Sequence, residues 1–186
     1  MDKTQLRKHF LKQRKALDLS QLEQFNQAIT DHLLDFYTGS YNKLHSFLPI
    51  EDKNEFNTWP FIQHWQTKGG EVVIPDFLAD NTPICYKIDE KTTFTTDKYG
   101  ISIPKEKLAG NHEGIDLILV PLLCFDEQGN RVGYGKGIYD RILAQIPSKT
   151  KIIGVSFFEP IPNLIETNKF DQKLHACVTP NKVYEF

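Results

Sequence analysis

Ile115-Asp116-Leu117-Ile118-Leu119-Val120-Pro121 is the stretch whose reading decides the fold. Residues 115–120 form a nearly continuous apolar run, which suits a strand buried on both faces of a parallel sheet. Pro121 stops it. The same signal recurs on both sides. Residues 44–48 predict a short strand stopped by Pro49, and Val72-Val73-Ile74 a strand stopped by Pro75. Residues 151–155 predict another buried strand, and residues 174–179 a last one. Helical spacing alternates with these strands. Leu6, Phe10 and Leu17 share a face of a first helix. Ser20-Gln21-Leu22-Glu23 fits a capping box ahead of Leu22, Phe25, Ile29, Leu33 and Phe36, with Gly39 as the stop. Thr58 is a candidate cap for a helix carrying Trp59, Ile62 and Trp65, and another helix is expected over residues 137–146. Residues 84–88 and 92–95 read as a β-pair, an edge insertion. Strands alternating with helices predict one α/β layered domain over residues 1–186 with a mostly parallel sheet. In such sheets ligands bind at the carboxyl ends of strands. That rule points to the segments after Leu48, Val120 and Val178.

The chain has 186 residues, 22 Lys and Arg against 24 Asp and Glu, and a formal charge of -2, which argues against nucleic-acid binding driven by bulk charge. No apolar stretch is long enough for a membrane helix. Residues 1–10 are charged and lack the apolar segment of a signal peptide, so a cytoplasmic protein is expected. Cys85, Cys124 and Cys177 are widely spaced, each in or beside an apolar run. They read as reduced, structural thiols of a reducing compartment.

Asp126-Glu127-Gln128-Gly129-Asn130-Arg131-Val132-Gly133-Tyr134-Gly135-Lys136-Gly137-Ile138-Tyr139-Asp140-Arg141 carries the chemistry. Alternating glycines let backbone amides approach an anion. Arg131 and Lys136 add positive charge, Arg with a bidentate fork. The loop opens onto a helix, whose first N–H groups favour phosphate. Asp140 offers oxygen to Mg²⁺. Neither the Walker loop nor the dinucleotide fingerprint has this spacing. On composition alone, a flexible turn with Asp140 favouring the helix dipole remains the alternative.

Asp116-Leu117-Ile118-Leu119-Val120-Pro121, Phe125-Asp126, Gly129-Asn130-Arg131 and the run from Gly133 to Arg141 together resemble the signature of the 5-formyltetrahydrofolate cyclo-ligase family (methenyltetrahydrofolate synthetase). The resemblance covers nearly the whole chain. Leu48-Pro49-Ile50 and Glu55-Phe56-Asn57-Thr58 are similar to two further family landmarks, and Asp171 with Val178-Thr179 to a third. Two positions depart from the pattern: Ile138 stands where tyrosine is usual, and Phe170 where histidine is.

The resemblance implies a three-layer α/β/α Rossmann-like domain and a monomer that binds neither nucleic acid nor membrane. It implies ATP-dependent closure of 5-formyltetrahydrofolate to 5,10-methenyltetrahydrofolate through a phosphorylated formyl group, with ATP as co-substrate and Mg²⁺ as cofactor. Lys3, Arg7, Arg131, Gly133, Tyr134, Gly135, Lys136, Gly137, Ile138 and Tyr139 are implied for ATP, with Lys136, Arg131 and Tyr139 catalytic. Ile50, Glu55, Tyr134 and Ile138 are implied for the folate, and Asp140 and Asp171 for the metal. Lys3 and Arg7 share a helix face at i, i+4. Two other readings stay open on the residues: a sugar-phosphate isomerase on a related α/β fold, and a non-catalytic nucleotide- or folate-binding regulator.

Overall fold

The computed structural model describes residues 1–37, 42–97 and 100–186. Helix α1 (Lys3–Lys15) is followed by α2 (Leu19–Phe36), β1 (Lys43–His45), a 3-10 turn (Glu51–Lys53), α3 (Trp59–Thr67) and β2 (Glu71–Phe77). Then come β3 (Pro83–Ile88), β4 (Phe94–Thr96), β5 (Ser102–Pro104), β6 (Leu108–Ala109) and β7 (Leu117–Pro121). The chain closes with β8 (Cys124–Phe125), β9 (Arg131–Val132), α4 (Ile138–Leu143), β10 (Lys151–Val155), β11 (Ala176–Val178) and β12 (Val183–Glu185).

The main sheet has the order β12-β11-β10-β7-β1-β2-β3-β6. Its five central strands are parallel, while β12, β3 and β6 join antiparallel. Along the chain the parallel strands take the spatial order 2-1-3-4-5, a doubly wound arrangement. The apolar runs alternate as period 2 demands. Leu44, Val72, Leu117, Leu119, Ile153 and Val178 pack on Ile29 and Leu33 of α2 and on Phe61, Ile62 and Trp65 of α3. Val73, Ile118, Val120 and Cys177 face the other way, onto Ile142 and Leu143 of α4. Both faces are therefore buried, the sandwich that the run at 115–120 predicts. Helix α1 lies apart from these layers. Its Leu6 and Phe10 pack with Leu123, Cys124, Val132 and Ile165 on the β8–β9 hairpin.

Several local expectations need correction. The capping box of α2 is Asp18 with Gln21, two residues before the expected Ser20 and Glu23. Both pairs have the right spacing, and Asp caps as well as Ser, so the earlier pair wins and the helix gains length. Thr58 does not cap α3. Its buried hydroxyl donates to the Phe47 carbonyl at 2.8 Å. Leu17 lies beyond the end of α1 and packs on the first core cluster instead. Strand β1 stops at His45, short of Leu48, while β2 runs on through Pro75. The Val73 carbonyl bonds Ser46, so Val73 and Pro75 turn their backbone toward the β1 side. By Pro75, β1 has ended, and the missing N–H leaves no ladder partner unmet. Strand β3 belongs to the main sheet, and the small insertion is the β4–β5 pair. Helix α4 ends at Leu143 rather than Ile146, and Gly39 lies outside the described residues.

Cys85, Cys124 and Cys177 are free and buried. Burial pushes the Cys85 thiol up to about 11 and the Cys124 thiol up to about 12, so both are inert at neutral pH. Among the described residues no helix is long and apolar enough to cross a membrane.

Candidate functional site

The chain leaves β1 through α3 toward β2 on one side, and leaves β7 through α4 toward β10 on the other. These connections diverge at the carboxyl ends of β1 and β7, the topological switch point where α/β sheets take ligands. A cleft of about 290 Å³ opens there. The residues implied for ATP, folate and metal all line it: Lys3 and Arg7 from α1, Ile50 and Glu55 after β1, Arg131 from the hairpin, Gly133 to Asp140 from the loop and the start of α4, and Asp171. The carboxyl end of β2, Ile74 to Phe77, also lines it and was missed because that strand was expected to stop at Pro75. The segment after Val178 was expected at a ligand site and is not there. Thr179 is fully buried, its hydroxyl bonded to the Lys182 carbonyl and to Glu159.

One end of the cleft is cationic. The Lys3 ammonium lies 2.6 Å from Asp171. Arg7 donates from Nε to the Gly133 carbonyl at 3.0 Å. Its guanidinium packs so closely on Gly135 that a β-carbon there would lie 3.0 Å from Arg7 Cζ. Gly135 also has φ +87, a conformation natural only to glycine. The nearly buried Arg131 side chain pairs with Asp140 at 2.5 Å and donates to the Gln172 carbonyl. Burial pulls the Arg131 guanidinium below its ordinary value, with Asp140 and Asp171 opposing. Burial acts to raise the Asp171 carboxyl, but the Lys3 ammonium and the Asn168 N–H outweigh it and hold the group below its usual range.

The other end is built around Glu55. Oε2 accepts from the Ile50 N–H at 2.8 Å, and Oε1 accepts from the Tyr134 hydroxyl. That hydroxyl accepts in turn from Nη2 of Arg14. Burial and the Glu55 charge both push the Tyr134 phenol up, so it stays protonated. Tyr139 packs against both main core clusters, edge-on to His45 with centroids 6.3 Å apart. Its hydroxyl has no partner among the described residues, and burial holds its proton firmly. Ile138 lines the cleft and also packs on the α4-side core. Arg14 is the one residue of this network that the sequence reading passed over. Its only signal was its place on the face of α1 that carries Lys3 and Arg7, amid many other charges.

A doubly wound sheet with a switch-point cleft, cationic at one end and carboxylate-bearing within an apolar wall at the other, is the arrangement of a ligand-binding α/β protein with room for an anion at the cationic end. A profile of the 5-formyltetrahydrofolate cyclo-ligase family matches residues 1–180, and the chain belongs to that family. A probable 5-formyltetrahydrofolate cyclo-ligase of Schizosaccharomyces pombe is 34% identical over 146 residues, 70% of this chain and 72% of that protein. The 5-formyltetrahydrofolate cyclo-ligase of Mycoplasma pneumoniae is 28% identical over 159 residues, 84% of this chain and 86% of its own. Among solved structures, the 5,10-methenyltetrahydrofolate synthetase of Aquifex aeolicus superposes with a TM-score of 0.81 at 26% identity, covering 100% of this chain and 93% of that one. The 5,10-methenyltetrahydrofolate synthetase of Mycoplasma pneumoniae gives 0.74 at 25% identity, with 96% and 98% covered.

Proposed function

We propose that this chain converts 5-formyltetrahydrofolate and ATP to 5,10-methenyltetrahydrofolate, ADP and phosphate. Family membership supports the reading. The observation that carries it at the site is one cleft with a cationic end and a carboxylate end that meet at Tyr134. The formyl oxygen on N5 attacks the γ-phosphorus, and ADP leaves. The imidate phosphate so formed has a far better electrophilic carbon than the formamide. N10 adds to that carbon, the former formyl oxygen departs within phosphate, the N10 proton is lost, and the methenyl bridge closes.

No bond to the protein forms, so the side chains align the reactants and neutralise charge. Lys3, Arg7, Arg131 and Lys136 meet the phosphates, with the backbone of Gly133, Gly135 and Gly137 allowing close approach. Arg131, dry and held by Asp140, is preorganised for charge that develops on the transferred phosphoryl group. Tyr139 lines the cleft, and its protonated hydroxyl, buried and without a partner among the described residues, would turn toward the same group as a donor. Glu55 accepts from the donor edge of the pterin, and Ile50, Tyr134 and Ile138 wall it. Asp140 and Asp171 fit a magnesium ion, since each has one carboxylate oxygen engaged by a cation and a second left over. Mg²⁺ takes one or two carboxylates together with substrate phosphates. When bound, it would offset charge on the phosphate chain. The three buried free thiols suit a cytoplasmic location.

The test is a spectrophotometric assay of methenyltetrahydrofolate. Product is expected only when 5-formyltetrahydrofolate, ATP and Mg²⁺ are all present, with one ADP for each ring closed. Equal product without ATP contradicts the ligase reading, and binding of both ligands without turnover supports a regulator instead.

A further inference from the structure

We propose that Arg14 is a positioning residue for the folate: acting through the Tyr134 hydroxyl, it fixes the orientation of the Glu55 carboxylate and ties the substrate end of the cleft to the helix that carries Lys3 and Arg7. The proposal rests on the functional reading above. Arg14 is 5% exposed. Burying a guanidinium is costly unless its charge and its N–H groups are met. No carboxylate pairs with it directly among the described residues. Nη1 donates to the Leu122 carbonyl at 3.2 Å and Nη2 to the Tyr134 hydroxyl, while Nε is buried without a hydrogen-bond partner among the described residues.

The direction of this chain of hydrogen bonds follows from the chemistry of its members. A guanidinium can only donate. The phenol oxygen therefore accepts from Arg14, and its single proton points to Glu55 Oε1. The Ile50 N–H takes Oε2. Each carboxylate oxygen thus has one bond from the protein and a lone pair left for a ligand N–H. That is a template for a cyclic amide–amine edge such as a pterin presents. The backbone is tied at the same place, because Asn54, the residue before Glu55, donates from its side chain to the Arg14 carbonyl at 3.2 Å. The plainer role, a cation bracing the last turn of α1 and the Leu122 carbonyl, leaves the bond to Tyr134 without purpose. It also predicts no difference between the two substrates.

Binding of 5-formyltetrahydrofolate by titration calorimetry, with steady-state KM for both substrates, tests the idea on Arg14→Met, Tyr134→Phe and the double variant. Each single change is expected to weaken folate binding by about tenfold and to alter the ATP KM by less than about twofold. The double variant should be no weaker than about the worse single one, because both changes cut one chain of bonds. Multiplicative losses in the double variant, or equal losses for folate and ATP, would overturn the proposal. If Arg14→Met does not fold, Arg14→Gln, which keeps a donor for the Leu122 carbonyl without the charge, takes its place in the same cycle under the same criteria. Wild-type protein that binds 5-formyltetrahydrofolate without ATP-driven turnover would refute the functional reading and leave the cycle to decide on Arg14. Wild-type protein that does not bind it at all would refute both.

Discussion

His45 sits at 0% exposure on the α4 side of the sheet, and neither ring nitrogen has a partner among the described residues. Burial, with the nearby His112 and Lys43 charges, lowers its pKa from 6.5 to about 3. Between those values the unfolded chain takes up a proton that the folded chain refuses, so folded stability falls as pH drops through that window. The loss is at most about 1.4 kcal/mol per pH unit. His45→Leu removes the titrating ring. Urea unfolding should show wild type losing about 2 kcal/mol more than the variant between pH 7 and pH 5, whereas parallel losses would contradict the assignment. A second residue-scale prediction concerns Ile138, the departure from the family pattern. Because it lines the cleft, Ile138→Tyr should raise kcat/KM for 5-formyltetrahydrofolate by up to about tenfold through stacking and a hydroxyl, with the ATP KM nearly unchanged. It also packs on the core, so some overpacking is expected. A lower melting temperature with no kinetic gain would mean that position 138 serves the core alone. Single residues were legible where a motif fixed them. His45 and Arg14 were not, because their meaning lies in contacts with residues far along the chain, and neither lies in a local pattern.

At the scale of elements, α1 is the least conventional part of the molecule. It adds nothing to the two main core clusters, yet one of its faces supplies Lys3 and Arg7 to the cleft and Arg14 to the Tyr134 hydroxyl. Gly135 is the surface on which that face docks. Gly135→Ala puts a methyl against the Arg7 guanidinium and demands φ +87 of an alanine. A severalfold rise in the ATP KM is expected, with folate affinity changed much less. An unchanged ATP KM would show that Arg7 is not held by this contact. The existence and type of the main helices and strands were legible from periodicity, while their ends were not. Two overlapping capping boxes compete before α2, and nothing local ranks Asp18 over Ser20. Pro75 reads as a stop, although the early end of β1 makes it harmless. The partner of β3 is set by β2 and β6 rather than by the neighbouring residues 92–95.

For the whole molecule, the sheet order brings together side chains from α1, the segment after β1, the loop between β9 and α4 and the stretch before β11. The mostly parallel sheet was foreseeable from the alternation of strands and helices, and two of the three strand ends expected to take a ligand, those after β1 and β7, do line the cleft. The third, the end of β11, lies away from the cleft and leads into the antiparallel β12. Asp140 and Asp171, far apart in sequence, both act on Arg131. If they share a magnesium ion when ATP is bound, Asp140→Asn and Asp171→Asn should each shift the Mg²⁺ dependence of turnover to higher concentration. Unmoved titrations in both variants would refute the shared site.

The central claim is that this cleft sets the γ-phosphate of ATP against the formyl oxygen. Single-turnover reaction with 5-formyltetrahydrofolate carrying ¹⁸O in the formyl group tests it most directly, by mass analysis of the phosphate released. The account predicts one ¹⁸O in the phosphate for each methenyl ring closed. Label recovered in water, with unlabelled phosphate, would contradict it.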